Sequence, residues 1–348
     1  MTGILMHKKL KKYSLNREII IFSDLQRGSF KIIGELYRKT FEGIGLTVYE
    51  IQTPVTDVER NKVMPLCRGK IVFFNTLGES FVPFSESYNI ALPVHEWSLY
   101  PNAWACLLDR FDDIWVTTDH VRKILISSGV AAPISIVPPD LTVFRPEKKQ
   151  EWKVNGPFRF LAVGDAHFRK GFHLLMEGFT RAFPDSCEAT LTIKTSPGCG
   201  WIPPREDIFI VSQHLPYDEV LDLYRSFDCY VSASLGEGLG LPIAEAVLAH
   251  LPVATNNWGG HRSLLRSGDY FKIHHDEVDQ PFCSDPAFYQ DGQSCALSRP
   301  EYIAETLRAV VGSSEADRKH MAEAAEADLL TVYGDCAVKK NICERLGL

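Results

Sequence analysis

The sequence lacks several features that would restrict its function. It has no apolar run long enough to span a bilayer, and its N-terminus lacks the apolar core of a signal peptide. Its nine cysteines form no Cys-x-x-Cys pair and show no Cys/His spacing typical of zinc sites. Scattered thiols of this kind fit a reducing compartment, so the sequence predicts a cytoplasmic protein.

An excess of positive charge is also missing. The formal net charge is -7, with 37 Lys and Arg against 44 Asp and Glu, which argues against a nucleic-acid partner. Residues 1–16 nevertheless form a basic tail, in which Lys8, Lys9, Lys11 and Lys12 cluster. Such a cluster can contact the anionic inner face of a membrane, which predicts peripheral membrane contact. A solvated tail is the simpler interpretation.

The chain of 348 residues suits two domains rather than one. Short runs rich in β-branched residues alternate with helical stretches, and such runs are typical of buried parallel strands. In the first half the runs lie at 17–26, 46–52, 70–76, 90–97, 113–119 and 134–140. In the second half they lie at 158–165, 189–195, 207–213, 229–234 and 252–257. The alternation predicts an α/β fold with a doubly wound parallel sheet in each half.

A polar segment with prolines near both ends, residues 145–157, is typical of a linker. The sequence therefore predicts an N-terminal domain over 1–146, a C-terminal domain over 147–334, and a final segment, 335–348, that packs back on the first domain. Ligands of such sheets bind beyond the carboxyl ends of the strands, so we expect a binding cleft between the two domains.

The stretch LGEGLGLPIAEA, residues 235–246, joins a predicted strand to a predicted helix. Pro242 suits the first helical turn, and the backbone N–H groups before it predict an anion site at the start of the helix. These N–H groups belong to Gly238, Leu239, Gly240 and Leu241.

Two carboxylates flank this turn. Glu245, expected in the first helical turn, can accept both hydroxyls of a ribose, and Glu237 can reach a polar group beyond the phosphates. A plain tight turn with a charged helix start explains the same residues. The stretch lacks the third glycine of the dinucleotide fingerprint and the lysine of a P-loop, which argues against a dehydrogenase or an ATPase.

With its surroundings, the stretch resembles a known family. LPYDEVLDLYRSFDCYVSASLGEGLGLPIAEAVLAHLPVATNNWGG resembles the signature of the retaining GT-B glycosyltransferases of the group 1 class (family 4). FLAVGDAHFRKGFHLLMEGFTRAF is similar to the first strand and helix of its donor domain, and residues 95–139 are similar to part of its acceptor domain. The resemblance covers about 95–265. It implies two Rossmann-like domains facing a cleft.

The resemblance also implies an activity. A retaining, metal-independent glycosyltransferase would move a sugar from a nucleotide-diphosphate-sugar to a hydroxyl of a glycan, a lipid-linked glycan or a similar acceptor, as in polysaccharide biosynthesis. It would need no metal, because protein charges neutralise the leaving diphosphate, and no cofactor besides the donor substrate. The sequence has no Asp-x-Asp motif, and its polar stretch 272–277 is more typical of a solvated loop than of a metal site.

By resemblance, Glu245 binds the ribose and Glu237 contacts the donor sugar. The backbone from Gly238 to Gly240 holds the diphosphate, and Lys170 matches the lysine that neutralises it. The family arginine is expected directly after the glycine at position 164, but Asp165 stands there, and Arg169 is the neighbouring substitute.

Further glycines and a histidine complete the candidate set. Gly164 ends the first donor-domain strand, and Gly259 and Gly260 match the family's glycine pair beside the donor. Gly28 stands where the family often places a glycine near the phosphates, and a plain turn explains it equally well. His95 matches a histidine that contacts the donor sugar, and a packed strand-end histidine is the alternative.

Two other functions stay open. A non-catalytic member of the fold would bind a nucleotide-sugar or a glycan without transfer, and Asp165 in the arginine position motivates this alternative. Another GT-B enzyme is the second alternative. The pair Glu237 and Glu245 argues against a nucleotide-sugar epimerase, and no lysine stretch indicates the pyridoxal phosphate site of a phosphorylase. The sequence identifies neither the donor sugar nor the acceptor.

Overall fold

The computed structural model describes residues 13, 17–26, 28–144, 146–152, 154–185, 187–280 and 288–348. Contacts within the chain divide it into two compact units. Unit 1 contains the described residues of Met1–Val143, Cys283–Asp291 and Val332–Leu348, and unit 2 those of Phe144–Phe282 and Gly292–Thr331. The lysines of the predicted basic tail lie outside the described residues. The division at 146/147 into an acceptor-side and a donor-side domain stays a prediction.

Unit 1 contains a six-stranded parallel sheet with the strand order β2-β1-β3-β4-β5-β6. Its strands are β1 (Glu18–Ser23), β2 (Thr47–Gln52), β3 (Ile71–Asn75), β4 (Tyr88–Ala91), β5 (Asp113–Val116) and β6 (Ile134–Ile136). Its first four helices are α1 (Gly28–Gly43), α2 (Asp57–Cys67), α3 (Asn102–Leu108) and α4 (Asp119–Ser127).

The sheet of unit 1 is covered on both faces, which is why its strands are apolar at consecutive positions. In β3, successive side chains point to opposite faces. Phe73 packs against Tyr37 and Phe41 of α1 on one face. Phe74 packs edge-on against Phe111 on the other. The run IVFFN therefore fills two aromatic-rich cores at once.

Unit 2 contains a second six-stranded parallel sheet, in the order β12-β11-β10-β7-β8-β9. Its strands are β7 (Phe158–Val163), β8 (Ala189–Lys194), β9 (Ile208–Val211), β10 (Cys229–Ser232), β11 (Val253–Asn256) and β12 (Phe271–Ile273). Its helices are α5 (Phe172–Ala182), α6 (Tyr217–Arg225), α7 (Leu241–Leu248), α8 (Pro300–Gly312) and α9 (Glu315–Tyr333, which ends in unit 1). Strands β13 (Asp276–Asp279) and β14 (Ser294–Leu297) pair antiparallel.

The strand order of unit 2 reverses between β7 and β10, which lie side by side. The chain leaves β7 through α5, whose Phe172 and Phe179 join one core cluster. It enters β10 from α6, whose Tyr224 packs against Tyr230. Because Val231 belongs to the α5 cluster, Tyr230 faces the opposite side of the sheet. Such a reversal leaves a crevice at the carboxyl ends of the two strands, where ligands of this fold class bind.

The predicted α/β class with two doubly wound parallel sheets is confirmed. Each of the eleven predicted runs contains or overlaps a strand. The run 90–97 is wrong beyond Ala91, where β4 ends, and Pro93 cannot donate to a ladder. The short strands β12, β13 and β14 were not predicted, since their sequences are brief and partly charged.

The predicted linker is anchored to unit 2, although its described residues form no regular structure. The Lys149 ammonium is buried, and it donates to the Phe227 carbonyl (2.6 Å) and to the Asp228 carboxylate (3.2 Å). Asp228 also accepts from the Arg159 guanidinium at 3.1 Å. Burial lowers the pKa of Lys149, and the Asp228 carboxylate opposes that shift. The segment is therefore held by a buried ion pair.

The final helix, α10 (Asp335–Leu346), packs in unit 1. Its Val338, Ile342 and Leu346 are buried in the core cluster that contains Tyr37. The spacing of these three residues, four apart, places them on one helical face. Within the part of the chain that is described, no helix combines the length and the apolar character needed to cross a bilayer.

The linker anchor predicts unequal effects of two neighbouring lysines. Lys149→Met removes a buried cation beside Asp228 and should lower the free energy of unfolding by about 3 kcal/mol. Lys148→Met removes an exposed partner of Glu326 and should cost under about 1 kcal/mol. Urea denaturation of the full chain, followed by tryptophan fluorescence, measures both. Equal effects would contradict a buried ion-pair anchor.

Candidate functional site

The loop after β7 approaches the strand end of β10 through a glycine. Residues Phe168–Lys170 form one 3-10 turn, and the His167 ring accepts the N–H of Arg169 at 3.1 Å. Gly171 follows with φ +65°, and a Cβ there would lie 2.1 Å from the Ala233 carbonyl oxygen. Only glycine fits that position, so the close approach of the two loops depends on it.

The same approach directs two cations toward the loop after β10. The Lys170 side chain runs over Gly164, where a Cβ would lie 3.2 Å from the Lys170 Cε. The Arg169 guanidinium donates to the Gly236 carbonyl at 2.6 Å. The N–H of Leu235 and the Ser234 hydroxyl both donate to the Arg169 carbonyl. Arg169 and Lys170 are thus fixed at the crevice between β7 and β10.

A glycine pair supports the turn at Glu237–Gly240 from a neighbouring loop. A Cβ on Gly260 would lie 1.8 Å from the Gly238 carbonyl oxygen, so no side chain fits there. Gly259 and Gly240 have φ of +98° and +89°, in the left-handed region that favours glycine. The Gly260 N–H donates to the Glu237 carbonyl at 2.6 Å. Four of the predicted glycines therefore lie together here, namely Gly238, Gly240, Gly259 and Gly260.

Glu237 forms a buried ion cluster with the two cations. Its carboxylate accepts from the Lys170 ammonium at 2.5 Å and lies 3.2 Å from the Arg169 guanidinium. Burial alone would raise the pKa of Glu237, but the charges of Lys170 and Arg169 with the hydrogen bonds of Lys170 and Ser234 outweigh it and lower the pKa to about 2. Glu237 is therefore ionised at neutral pH and accepts hydrogen bonds.

Glu245 lies in a different environment. It is the fifth residue of α7, so it stands in the second helical turn rather than in the predicted first turn. Its carboxylate is buried and accepts from the hydroxyls of Tyr217 (2.5 Å) and Tyr224 (2.6 Å). Burial raises the pKa of Glu245, and the two tyrosine hydroxyls and the Lys170 charge oppose that shift. Tyr224 is fully buried, whereas Tyr217 reaches the surface.

The N-terminus of α7 has unpaired amides. The N–H groups of Leu239, Gly240 and Leu241 donate to no acceptor in the described part of the chain, and residue 242 is proline. Since Leu239 and Gly240 are buried, leaving them without a partner is costly. An oxyanion would satisfy them and would be favoured by the helix dipole.

His261 is a residue of this region whose packing the sequence did not predict. His261 is buried, and a Cβ on Gly240 would lie 3.0 Å from the Cβ of His261. Its Nε2 lies 2.8 Å from the Asn256 carbonyl, so that nitrogen bears the proton, and burial lowers the pKa of the ring. The neutral ring supports the glycine turn.

Two predicted site residues lie in unit 1. His95 is not at a strand end, because β4 ends at Ala91. It is fully buried, with its ring edge-on to Tyr100 at 5.4 Å. Gly28 is the first residue of α1, and a Cβ there would meet nothing within 4 Å, so no steric constraint requires glycine. Their proposed contacts with the donor stay predictions.

The tyrosines around Glu245 were missed, although a signal existed. Tyr217 and Tyr224 are seven residues apart in α6, a spacing that places both on one helical face. Over the described ranges, no three His, Cys, Asp or Glu side chains come together as a metal-binding group.

A family profile matches part of unit 2. The profile described as Glycosyl transferases group 1 matches residues 157–280. This range includes every predicted site residue except Gly28 and His95. No curated protein sequence matches the chain.

Solved structures show the fold of the chain. A glycosyltransferase from Rickettsia africae ESF-5 is 12% identical with a TM-score of 0.70, covering 94% of this chain and 97% of that one. The E. coli trehalose-6-phosphate protein bound with UDP-2-fluoro glucose is 13% identical (TM-score 0.60; 83% and 76% covered). S. aureus TarM, in complex with fondaparinux, alpha-GlcNAc-glycerol and UDP, is 11% identical (0.60; 83% and 58%). The chain has the GT-B fold.

The ion cluster predicts a contribution of Glu237 to stability that is lost in acid. Its pKa falls from an ordinary value of 4.5 to about 2 on folding. The contribution is therefore complete above about pH 4.5 and decreases as the pH falls toward 2. The shift corresponds to roughly 3 kcal/mol. Glu237→Gln should be less stable than wild type at pH 7, and the difference should narrow below pH 4.5.

Urea denaturation at a series of pH values between 7 and 3 measures this difference. Glu305→Gln, which changes an exposed glutamate of the same unit, is the matched control and should show no such pH dependence. A constant difference between wild type and Glu237→Gln over the whole range would show that the ion cluster does not form.

Proposed function

Because residues 157–280 match the profile of the group 1 glycosyltransferases, we propose that the chain is a retaining glycosyltransferase. Its donor is a nucleotide-diphosphate-sugar, and its acceptor is a hydroxyl of a glycan, a lipid-linked glycan or a similar molecule. The reaction uses no metal and no cofactor besides the donor.

One observation supports this proposal most strongly. A carboxylate with a strongly lowered pKa, two cations and the free amides of a helix N-terminus meet at the carboxyl ends of β7 and β10. Anion-binding groups and an ionised hydrogen-bond acceptor at one strand-order reversal suit a sugar joined to a diphosphate. Neither a tight turn nor a packing contact requires this combination.

The leaving diphosphate is the difficult part of the reaction, since it gains negative charge as the sugar departs. The Lys170 ammonium and the Arg169 guanidinium would face that charge together with the amides of Leu239, Gly240 and Leu241. These cationic and amide groups are fixed before the nucleotide-sugar binds, because the loop contacts at Gly171 and Gly260 position them. Fixed donors need no reorganisation during the reaction.

The two glutamates would hold the two hydroxylated parts of the donor. Glu237, ionised throughout the physiological pH range, would accept hydroxyls of the donor sugar and is a poor general acid. Glu245 would accept the ribose hydroxyls in exchange for the hydroxyl of Tyr217, which reaches the surface. We name no protein nucleophile, because a front-face reaction needs none.

The remaining expectations belong to the same proposal. His95, Gly28 and Gly164 would line the donor site, and the reaction would take place in the cytoplasm. The peripheral membrane contact assigned to the basic residues of 1–16 lies outside the described residues. The three neighbours described above include two complexes with UDP or a UDP-sugar, so UDP-sugars are the first donors to test.

Donor turnover tests the proposal directly. Wild type should release free nucleoside diphosphate from one member of a panel of UDP-, GDP-, ADP- and dTDP-sugars and should be thermally stabilised by it. Lys170→Met should lower the rate by about 10²–10³, because one phosphate-neutralising group is lost. Glu237→Gln should lower it to a similar extent. Release of nucleoside diphosphate measures each rate.

Glu305→Gln, remote from the crevice, is the control for the Glu237 variant and should keep the wild-type rate. The absence of both turnover and thermal stabilisation with every donor would overturn the proposal. An unchanged rate in Lys170→Met would remove Lys170 from the site.

A non-catalytic nucleotide-sugar or glycan-binding protein is the second candidate. Asp165 favours it, because the exposed carboxylate stands where the family has a phosphate-binding arginine. A donor that binds tightly to wild type without release or transfer, together with turnover gained in Asp165→Arg, would establish this alternative. Turnover in wild type would exclude it.

A further inference from the structure

A buried lysine lies at the carboxyl edge of the unit 2 sheet, outside the site described above. Lys194 is the last residue of β8, and its carbonyl accepts the N–H of Gly164 at 3.0 Å. It is therefore joined directly to the start of the loop that contains Lys170. Only 7% of Lys194 is exposed, which is unusual for this residue type.

The ammonium of Lys194 has unused hydrogen-bonding capacity. In the described ranges its Nζ donates only to the neighbouring Thr195 carbonyl, at 2.7 Å. Two of its three N–H bonds therefore have no acceptor among the described residues. Burial lowers the pKa of Lys194, and the charge of Asp165 opposes the shift, so the two side chains attract each other across the strand ends.

Asp165 is the complementary group. It is exposed, lies two residues beyond Val163, and Val163 pairs with Lys194 in the sheet. No hydrogen bond or direct ion pair to its carboxylate occurs among the described side chains. The Lys194 ammonium, a hydrogen-bond donor, and the Asp165 carboxylate, an acceptor, therefore lie at adjacent strand ends. They attract each other electrostatically but form no direct hydrogen bond. A ligand with an acceptor beside a donor would fit both.

Lys194 lies on the same face of the sheet as Glu245. Lys194 pairs with Val163, and Tyr230 pairs with Leu161, so all four side chains share one face. The Tyr230 ring packs against Tyr224, whose hydroxyl binds Glu245.

The strand spacing matches the length of a nucleotide. The ends of β8 and β10 are two strand spacings apart, about 10 Å. Phosphates between Lys170 and the loop after β10, together with a ribose at Glu245, leave the space beside Asp165 and the end of β8 for the base. This step rests on the proposed function.

We infer that Lys194 and Asp165 recognise the lactam edge of the donor's nucleobase, where a ring carbonyl lies beside a ring N–H. The ammonium donates to the carbonyl, and the carboxylate accepts from the N–H. Uracil, thymine and guanine have this edge. Cytosine and adenine present an amino group beside an unprotonated ring nitrogen, which reverses both polarities. The pair therefore selects donors with a keto base.

UDP and CDP test the inference, because the two ligands differ only at this edge. By calorimetry, wild type should bind UDP at least about tenfold more tightly than CDP, as expected for hydrogen bonds to charged groups. Lys194→Met and Asp165→Asn should each weaken the binding of UDP about tenfold and change the affinity for CDP by less than about twofold. Lys272→Met, an exposed lysine of β12, should change neither.

The outcomes separate the inference from the proposed function. Wild type that binds none of UDP, CDP, GDP, ADP and dTDP contradicts the proposed function itself, whereas tighter binding of ADP or CDP than of UDP, GDP and dTDP overturns the inference alone. Wild type that binds UDP and CDP equally, or variants that keep the preference for UDP, overturn the inference alone. Lys170→Met should weaken both ligands alike, since phosphate is common to them. If Lys194→Met does not fold, the exposed Asp165→Asn decides the outcome by itself.

Discussion

Burial of the Glu237 carboxylate between the Lys170 ammonium and the Arg169 guanidinium is the interaction on which the candidate site depends. An isolated carboxylate at this position would be costly, because it loses its hydration. The cations reach it only because Gly171 and Gly260 leave no Cβ between neighbouring loops. Glycine at these positions is thus a requirement of the charge arrangement as much as of the backbone.

The same interaction limits how tightly an anion can bind. Two cations and one carboxylate leave a single net positive charge in the crevice, which is less than the charge of a diphosphate. The free amides of Leu239, Gly240 and Leu241 must therefore supply part of the attraction. A sugar hydroxyl that donates to Glu237 would weaken the ion pairs of Glu237 with Lys170 and Arg169. The two cations could then interact more strongly with the phosphates. In the proposed function, sugar binding and diphosphate binding would therefore be coupled through this carboxylate.

The sequence predicted those parts of the site that depend on local order. Glu237, the glycine turn and α7 lie in one continuous segment, so spacing alone brings them together. β-branched runs predicted the strands because both faces of each sheet are covered. The tyrosines around Glu245 come from a different helix, and the buried ion pair of Lys149 joins a polar segment to the residue before β10. Such contacts depend on tertiary packing, which periodicity does not encode. The first-turn position of Glu245 was wrong because α7 begins at Leu241.

Two buried glutamates on one loop and helix have pKa values displaced in opposite directions. The cations beside Glu237 favour its charged form, whereas the tyrosine hydroxyls around Glu245 offset burial only in part. A charge-paired carboxylate keeps a fixed state while charge develops nearby, which suits a position beside the reacting sugar. A carboxylate held by neutral hydroxyls can exchange them for those of a ribose without separating any charges. In the proposed function, the difference in partners, rather than in residue type, would assign the sugar to Glu237 and the ribose to Glu245.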